Sequence, residues 1–443
     1  MRFKPYAEYR ESGVEWIGKV PSHWETWKLS HAFSLIGSGT TPPTLEEQWY
    51  EGNVPWVTTG ELREDTIVNT NKNLNSDALL KFPTLKKYPA GSVVIAMYGA
   101  TIGRVGILGV DATTNQACCV LAKSQYLQNR FTFYWLQAFK NEIVNLSSGG
   151  GQPNINQEKV TSLRICAPHT NEQDGVAAFL DRETARIDAL IDRKQHQIAL
   201  IAEKRQALIT RAVTRGLDSD APVRDSGVKW LGEVPVHWDV KRLKFNSHLQ
   251  TGVAKGKDME DKETVFVPYL RVANVQDGFL ALDDVQIIEI EASSFTRYLL
   301  KPGDVLMNEG GDNDKLGRGA IWHGEINPCI HQNHVFAIRL DAGFEPEWLS
   351  LYTSSTPAKF YFTQLAKQTT NLASISSSNL HEISVTWPPE HERAELLNRV
   401  AGETSRLDTL TEKLTRSIEL LKEHRAALIT AAVTGRIDVR DAA

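Results

Sequence analysis

The sequence predicts a mixed α/β protein written as two copies of one unit, each a globular segment of short strands followed by a long helix. Three observations carry this. Ser12-Gly13-Val14-Glu15-Trp16-Ile17-Gly18-Lys19-Val20-Pro21-Ser22-His23-Trp24 recurs as Ser226-Gly227-Val228-Lys229-Trp230-Leu231-Gly232-Glu233-Val234-Pro235-Val236-His237-Trp238, with nine of thirteen positions identical. Glu183 to Leu190 recurs as Glu403 to Leu410, and Arg205 to Thr214 as Arg425 to Thr434. Both recurring helical blocks carry an apolar seam of period 3.5, the mark of a helix that requires a partner helix. The first motif repeats at an offset of 214 residues (Ser12 to Ser226) and the helical blocks at 220 (Glu183 to Glu403), so the second globular segment is six residues longer.

In the first helical block Ile187, Lys194, Ile201 and Leu208 fall at d, and Ile191, Ile198, Arg205 and Ala212 at a. In the second, Leu407, Leu414, Leu421 and Leu428 fall at d, with Thr411, Ile418, Arg425 and Ala432 at a. Such a seam is compatible with an internal hairpin or a dimer zipper, and two like helices in one chain favour internal pairing. Gly216 and Gly435 stand where a helix C-cap tolerates a left-handed residue, and Pro222 bars extension of the first helix. A helix over Val176 to Val213 would be about 57 Å long. Arg205 and Arg425, at seam positions, are expected to pair with acidic residues across the helices. In the globular halves, Ser92 to Ala96 and Asp304 to Met307 each follow a Gly turn and read as strands entering Gly-rich loops. Shorter helices are expected over Phe131 to Val144 and around Pro346 to Lys359. Trp16, Trp24, Trp230 and Trp238 sit beside Val and Leu in both copies, which favours core packing over base stacking.

A chain of 443 residues, 41% hydrophobic and 23% charged, has ordinary globular composition and room for two to four domains. No stretch approaches the roughly twenty apolar residues of a membrane span, and Met1-Arg2-Phe3-Lys4-Pro5-Tyr6 lacks the apolar core of a signal peptide. Cys118, Cys119, Cys166 and Cys329 show no C-x-x-C spacing, so the expectation is a reduced, cytoplasmic protein without a metal site. The net charge of -5 rules out a uniformly basic coat, although Lys241, Arg242, Lys244, Lys255 and Lys257 form a local run free of Asp and Glu. There is no G-x-x-x-x-G-K-[ST] phosphate loop and no H-E-x-x-H. Trp387-Pro388-Pro389-Glu390 lacks the amide or acid of an adenine-methyltransferase motif, and Glu260-Asp261-Lys262 reads as a solvated charged loop. No catalytic residue is assigned.

Gly-Val-x-Trp-[Ile/Leu]-Gly-x-Val-Pro-x-His-Trp, at Gly13 to Trp24 and Gly227 to Trp238, resembles the start of each target-recognition domain in type I restriction-modification specificity subunits (HsdS). The paired Arg-x-Ala-Leu-Ile-Thr-x-Ala-Val-Thr segments resemble the ends of that family's conserved helical regions, and the match runs in family order over essentially the whole chain. The resemblance implies two target-recognition domains, over 1–170 and 221–390, and helical spacers over 171–220 and 391–443 that form an antiparallel coiled coil. It implies a non-catalytic subunit that reads a bipartite site in double-stranded DNA. Two methyltransferase subunits, which bind S-adenosylmethionine and methylate adenine N6, would be its partners, joined by restriction/translocase subunits where cleavage occurs. The chain itself would bind no cofactor and no membrane. A coiled-coil scaffold whose globular halves bind proteins is the alternative.

Base readout asks for side chains with two-point hydrogen bonding on loops that enter the major groove. In the first half Tyr98 and Arg104 stand on the loop after Ala96, and Asn115 and Gln116 before the next strand. The second half offers Asn308, Asn313, Lys315 and Arg318, then Gln332 and Asn333. Gly103-Arg104 and Gly317-Arg318 align if the loops differ in length. Gln152 and Asn154, in a Gly-rich turn, complete the DNA-binding candidates; Thr369, Thr370 and Asn371 are the counterpart of that turn.

Overall fold

The computed structural model describes residues 4–147, 154–218, 220–256, 262–311, 316–317, 319–368 and 373–440. Two compact units result, Met1–Lys194 with Thr415–Ala443, and Gln195–Leu414. The recurring helical blocks become two very long helices, Thr170–Arg215 and Glu390–Val433. The first starts before Val176, at Thr170, two residues after Pro168, and no proline interrupts its first turns.

Unit 1 is organised by a five-stranded sheet in the order Phe33–Gly37, Cys118–Ser124, Val93–Ala96, Val105–Leu108 and Thr66–Ile67, antiparallel except for its last pair. Val93 to Ala96 and Val105 to Leu108 are buried on both faces, hence their unbroken apolar runs. A three-stranded sheet, Thr113–Thr114, Val54–Val57 and Asn73–Leu74, lies next to it in sequence order. Unit 2 repeats the plan. Ser247–Thr251, Val335–Leu340, Val305–Asn308 and Gly319–Ile321 form a four-stranded antiparallel sheet, and Gln286–Glu291, Thr264–Leu270 and Ile330–His331 a three-stranded one.

The thirteen-residue motif is a clamp on a long helix. Trp24, 1% exposed, donates its indole N–H to the Glu172 carboxylate at 3.2 Å, which also accepts from the Tyr6 hydroxyl at 2.8 Å and meets His23 Nε2 at 3.1 Å. In unit 2, Trp238 and His237 hold Glu392 in the same way, at 3.1 and 2.7 Å. Both carboxylates sit in the first turn of their helix, where the helix dipole favours negative charge. Trp24 packs edge-on to Phe131 and Trp238 to Trp348, and Trp16 and Trp230 lie against Phe139 and Tyr361, so all four repeated tryptophans are packing residues. Glu172→Ala is expected to cost about 1–3 kcal/mol, since it leaves a buried indole N–H without its acceptor. Chemical denaturation monitored at tryptophan emission checks it, with Glu15→Ala, on the exposed side of the same motif, near zero.

The seam also behaves as read. Ile187, Ile191, Ile418, Leu428 and Ala432 are buried. In unit 1 Arg425 Nε donates to Asp188 at 2.9 Å; in unit 2 Arg205 faces Asp408 at 3.4 Å. These are the same contact in the two copies, and with Ile209 and Ala212 packed on Val400 they fix an antiparallel pairing of the helices. Gly216 and Gly435 close the helices at φ 69° and 67°.

Two expected helices are interrupted. Phe131 to Val144 is Asn129–Ala138 followed by Lys140–Asn145, broken at Phe139 (φ -107°, ψ 24°), whose ring is held by Trp16 and Trp135. Pro346 to Lys359 splits into Pro346–Thr353 and Thr356–Leu365, because Pro357 fits only the first turn of a helix. No described helix is long and apolar enough to cross a membrane.

Candidate nucleic-acid interface

In each unit one edge of the main sheet gathers the predicted loops. In unit 1 Met97 N–H donates to the Ala117 carbonyl at 2.8 Å, Ile155 N–H donates to the Met97 carbonyl at 2.9 Å, and Tyr98 bridges Asn154. Tyr98, Asn154, Asn115 and Gln116 are thereby brought together; Tyr98 is 41% exposed, Asn154 and Gln116 are exposed and Asn115 half-buried. Asn115 Oδ1 accepts from Ala117 N–H and builds the turn, while Gln116 Oε1 accepts from the Thr41 hydroxyl. Arg104 follows Gly103 (φ 76°), is half-buried, and its guanidinium makes no hydrogen bond or ion pair with another described residue.

Unit 2 repeats the backbone pattern. Glu309 N–H donates to His334 O at 2.9 Å, Ile375 N–H to Glu309 O at 2.8 Å, and Gly310 pairs with Ser374. Glu309 therefore corresponds to Met97, His334 to Ala117, Asn333 to Gln116 and Gln332 to Asn115. This register corrects one candidate. Asn308 corresponds to Ala96, is 5% exposed, and donates its amide to Val275 O at 2.9 Å and Val272 O at 3.3 Å. It lies inside the strand, not on the loop, and its amide is engaged in holding the fold. Gln332 and Asn333 are half-buried on the turn. Gly317, at φ 71°, takes the place of Gly103. Gln152, Asn313, Lys315 and Arg318 lie outside the described residues, as do Thr369, Thr370 and Asn371. The basic run is largely self-neutralised: Lys241 pairs with Asp239, and Arg242 and Lys244 with Glu382, while Lys257 lies outside the described residues. Sequence reasoning does not single out Thr41, Glu309 or His334; the only signal for Thr41 is the Gly39-Thr40-Thr41-Pro42 turn.

Beneath the unit 2 edge His331 is fully buried. Its Nδ1–H donates to the Val335 carbonyl at 2.7 Å, and Nε2 has no hydrogen-bond partner among the described residues. Burial pushes its pKa down to about 4, against the smaller opposing effect of the Val335 carbonyl. Above the ordinary value of 6.5 the ring is neutral folded and unfolded alike; below it only the unfolded chain takes the proton, until about 4. Unit 2 is thus expected to lose stability as pH falls from 6.5 to about 4, with a slope approaching about 1.4 kcal/mol per pH unit. Urea denaturation at pH 7.5 and 5.5 checks this; His331→Gln should flatten the difference.

Comparison with known proteins meets this geometry. Residues 21–200 match the family described as type I restriction modification DNA specificity domain. The specificity subunit of the type I restriction enzyme EcoKI from Escherichia coli K12 is 23% identical over 95% of this chain and 90% of its own. That of MjaVIII from Methanocaldococcus jannaschii is 20% identical over 96% and 95%. Among solved structures, a chain from a study of complex assembly and conformational transition of the type I restriction-modification system superposes with a TM-score of 0.67 at 17% identity, covering 94% of this chain and 99% of that one. The HsdS subunit from Thermoanaerobacter tengcongensis gives 0.54 at 15% identity over 96% and 100%. The duplicated sheets and paired long helices are thus a fold shared with these two solved chains. In sequence and in fold the chain is similar to the specificity subunits (HsdS) of type I restriction-modification systems.

Proposed function

We propose that this chain is the DNA-reading, non-catalytic subunit of a type I restriction-modification complex, with one half-site read by each copy. The observation that supports this best is the duplicated edge: equivalent backbone positions in both units present exposed or half-exposed amides, Asn115 and Gln116 in one, Gln332 and Asn333 in the other. Amides offer a donor and an acceptor side by side, the pattern that pairs with adenine, and the guanidinium of Arg104, without a partner among the described residues, suits guanine. Tyr98, Asn154 and, beyond the described residues, Gln152, Asn313, Lys315 and Arg318 complete the proposed contact set. The recognition domains are assigned to 1–170 and 221–390, the spacers to 171–220 and 391–443. The partners are double-stranded DNA, two methyltransferase subunits that bring S-adenosylmethionine to adenine N6, and restriction subunits where the complex cleaves; the complex works in the cytoplasm. Exchanging Trp24 to Pro168 for the same region of a relative tests the reading. Methylation mapping should show one half-site changed and the other kept, and a change in both or neither would overturn modular readout. On the same assay Arg104→Ala should relax one position by about 1–3 kcal/mol.

A further inference from the structure

Which base an amide reads depends on which of its ends is free, and the two copies hold their amides by opposite ends. In unit 1 the Thr41 hydroxyl donates to Gln116 Oε1, so the carbonyl end is tied and the NH2 end is outward. In unit 2 no such hydroxyl meets the equivalent Asn333 among the described residues. There the Glu309 carboxylate, an acceptor only, meets His334 Nδ1 at 2.6 Å, which places the proton on Nδ1. In the neutral ring His334 Nε2 is then an acceptor, and it lies 3.5 Å from Asn333 Nδ2, at the long end of a hydrogen bond. The chain of bonds ties the NH2 end of Asn333 and turns Oδ1 and the second N–H outward. Glu309 and His334 replace Met97 and Ala117 of the first copy, so this arrangement is built into unit 2 alone. Their side chains are 30% and 55% exposed, at the rim of the edge and not in the core.

We infer that Glu309 and His334 are positioning residues that fix the amide of Asn333 for adenine, whose N6 amino group donates and whose N7 accepts, while Thr41 sets Gln116 for a base that presents acceptors. This rests on the DNA-reading function proposed above. It assigns base choice to side chains that need not touch DNA, because each acts by fixing the orientation of an amide that otherwise rotates freely.

The test uses the full chain with its co-purified partner subunits, and measures binding to a library of duplexes in which every position of both half-sites is varied. Wild type must first show sequence-dependent retention; if it shows none, the DNA-reading function itself fails. Given that retention, His334→Ala and Glu309→Ala should each reduce preference for adenine at one position of one half-site by about tenfold or more, with the other half-site unchanged. His334→Gln should restore most of it, because the glutamine amide donates to Glu309 and accepts from Asn333 in the same sense. Thr41→Val should loosen one position of the opposite half-site. A uniform loss of affinity, or equal loss in His334→Gln and His334→Ala, would mark the pair as merely structural and overturn the inference, as would unchanged base preference in both alanine variants.

Discussion

Arg393→Met is expected to destabilise unit 2 by about 3–5 kcal/mol, because it strands groups that only a buried cation satisfies. Arg393 is 5% exposed in the first turn of the second long helix. Its guanidinium donates to the Pro388 carbonyl at 3.1 Å, the Gly343 carbonyl at 3.0 Å and Glu345 Oε1 at 2.7 Å. These acceptors frame the start of the helix Pro346–Thr353, which carries Trp348 and Tyr352 into the core. Methionine matches the bulk but offers no donor, so two carbonyls and a carboxylate would lose their partners. The first copy solves the same problem with a neutral residue. Gln173, fully buried, donates to Pro168 O and Tyr126 O, both at 2.8 Å, and accepts from Gln128 N–H at 2.8 Å. Since Pro168 and Pro388 are equivalent, Arg393→Gln should recover part of the loss, and leave Glu345 alone unpaired. Chemical denaturation, with hydrogen exchange of Pro346–Thr353 to localise the effect, measures all three proteins. A loss under 1 kcal/mol for Arg393→Met would show that water replaces the guanidinium at these carbonyls.

How far the sequence reveals such features follows from the range over which each is determined. Helix seams and caps are local, and Ile187, Ile418, Gly216 and Gly435 occupy the places their spacing requires. The Arg425–Asp188 and Arg205–Asp408 contacts were foreseeable as charge pairs, but their identity as one contact made twice needs the antiparallel register. The role of Glu172 and Glu392 could not be read, because nothing in a solvated-looking first turn announces a tryptophan some 150 residues away as its partner. Asn308 was misplaced for a similar reason. Asn just ahead of the Gly310-Gly311 pair reads locally as the start of a loop, yet pairing with Val335 extends the strand through it, and Ala96, its counterpart, carries no polar signal to align on. The edge loops were legible as loops, being rich in Gly and amides; the inferred settings of the amides rest on Thr41 and Glu309, which are distant in sequence from the amides, and on His334 beside Asn333.

Gly252→Ala should dismantle the edge of unit 2 and spare that of unit 1. A Cβ at Gly252 would stand 2.0 Å from the His331 carbonyl oxygen and 2.5 Å from that of Gln332, well inside any real contact. Both obstacles are backbone, so neither can swing aside as a side chain would. The strand Ile330–His331 and the turn behind it must retreat, and the bonds from Val253 N–H to His331 O (2.9 Å) and from Asn333 N–H to Val253 O (3.0 Å) must go with it. Overpacking of about 1–3 kcal/mol combines with buried backbone groups left unpaired, for a loss of about 3 kcal/mol or more. Gln332 and Asn333 ride on that turn, so the half-site read by this unit should lose its base preference even where the protein stays folded. Gly39→Ala is the mirror experiment: its Cβ would lie 1.7 Å from the Thr114 carbonyl oxygen, and the displaced turn carries Asn115 and Gln116. Gly402→Ala supplies the contrast. That glycine is inside the second long helix with nothing within 4 Å of the added carbon, and the change should stabilise by up to about 1 kcal/mol. Thermal denaturation and half-site mapping of the three variants decide the matter: loss of both half-sites in Gly252→Ala, or of neither, would show that the edge does not depend on this close backbone approach.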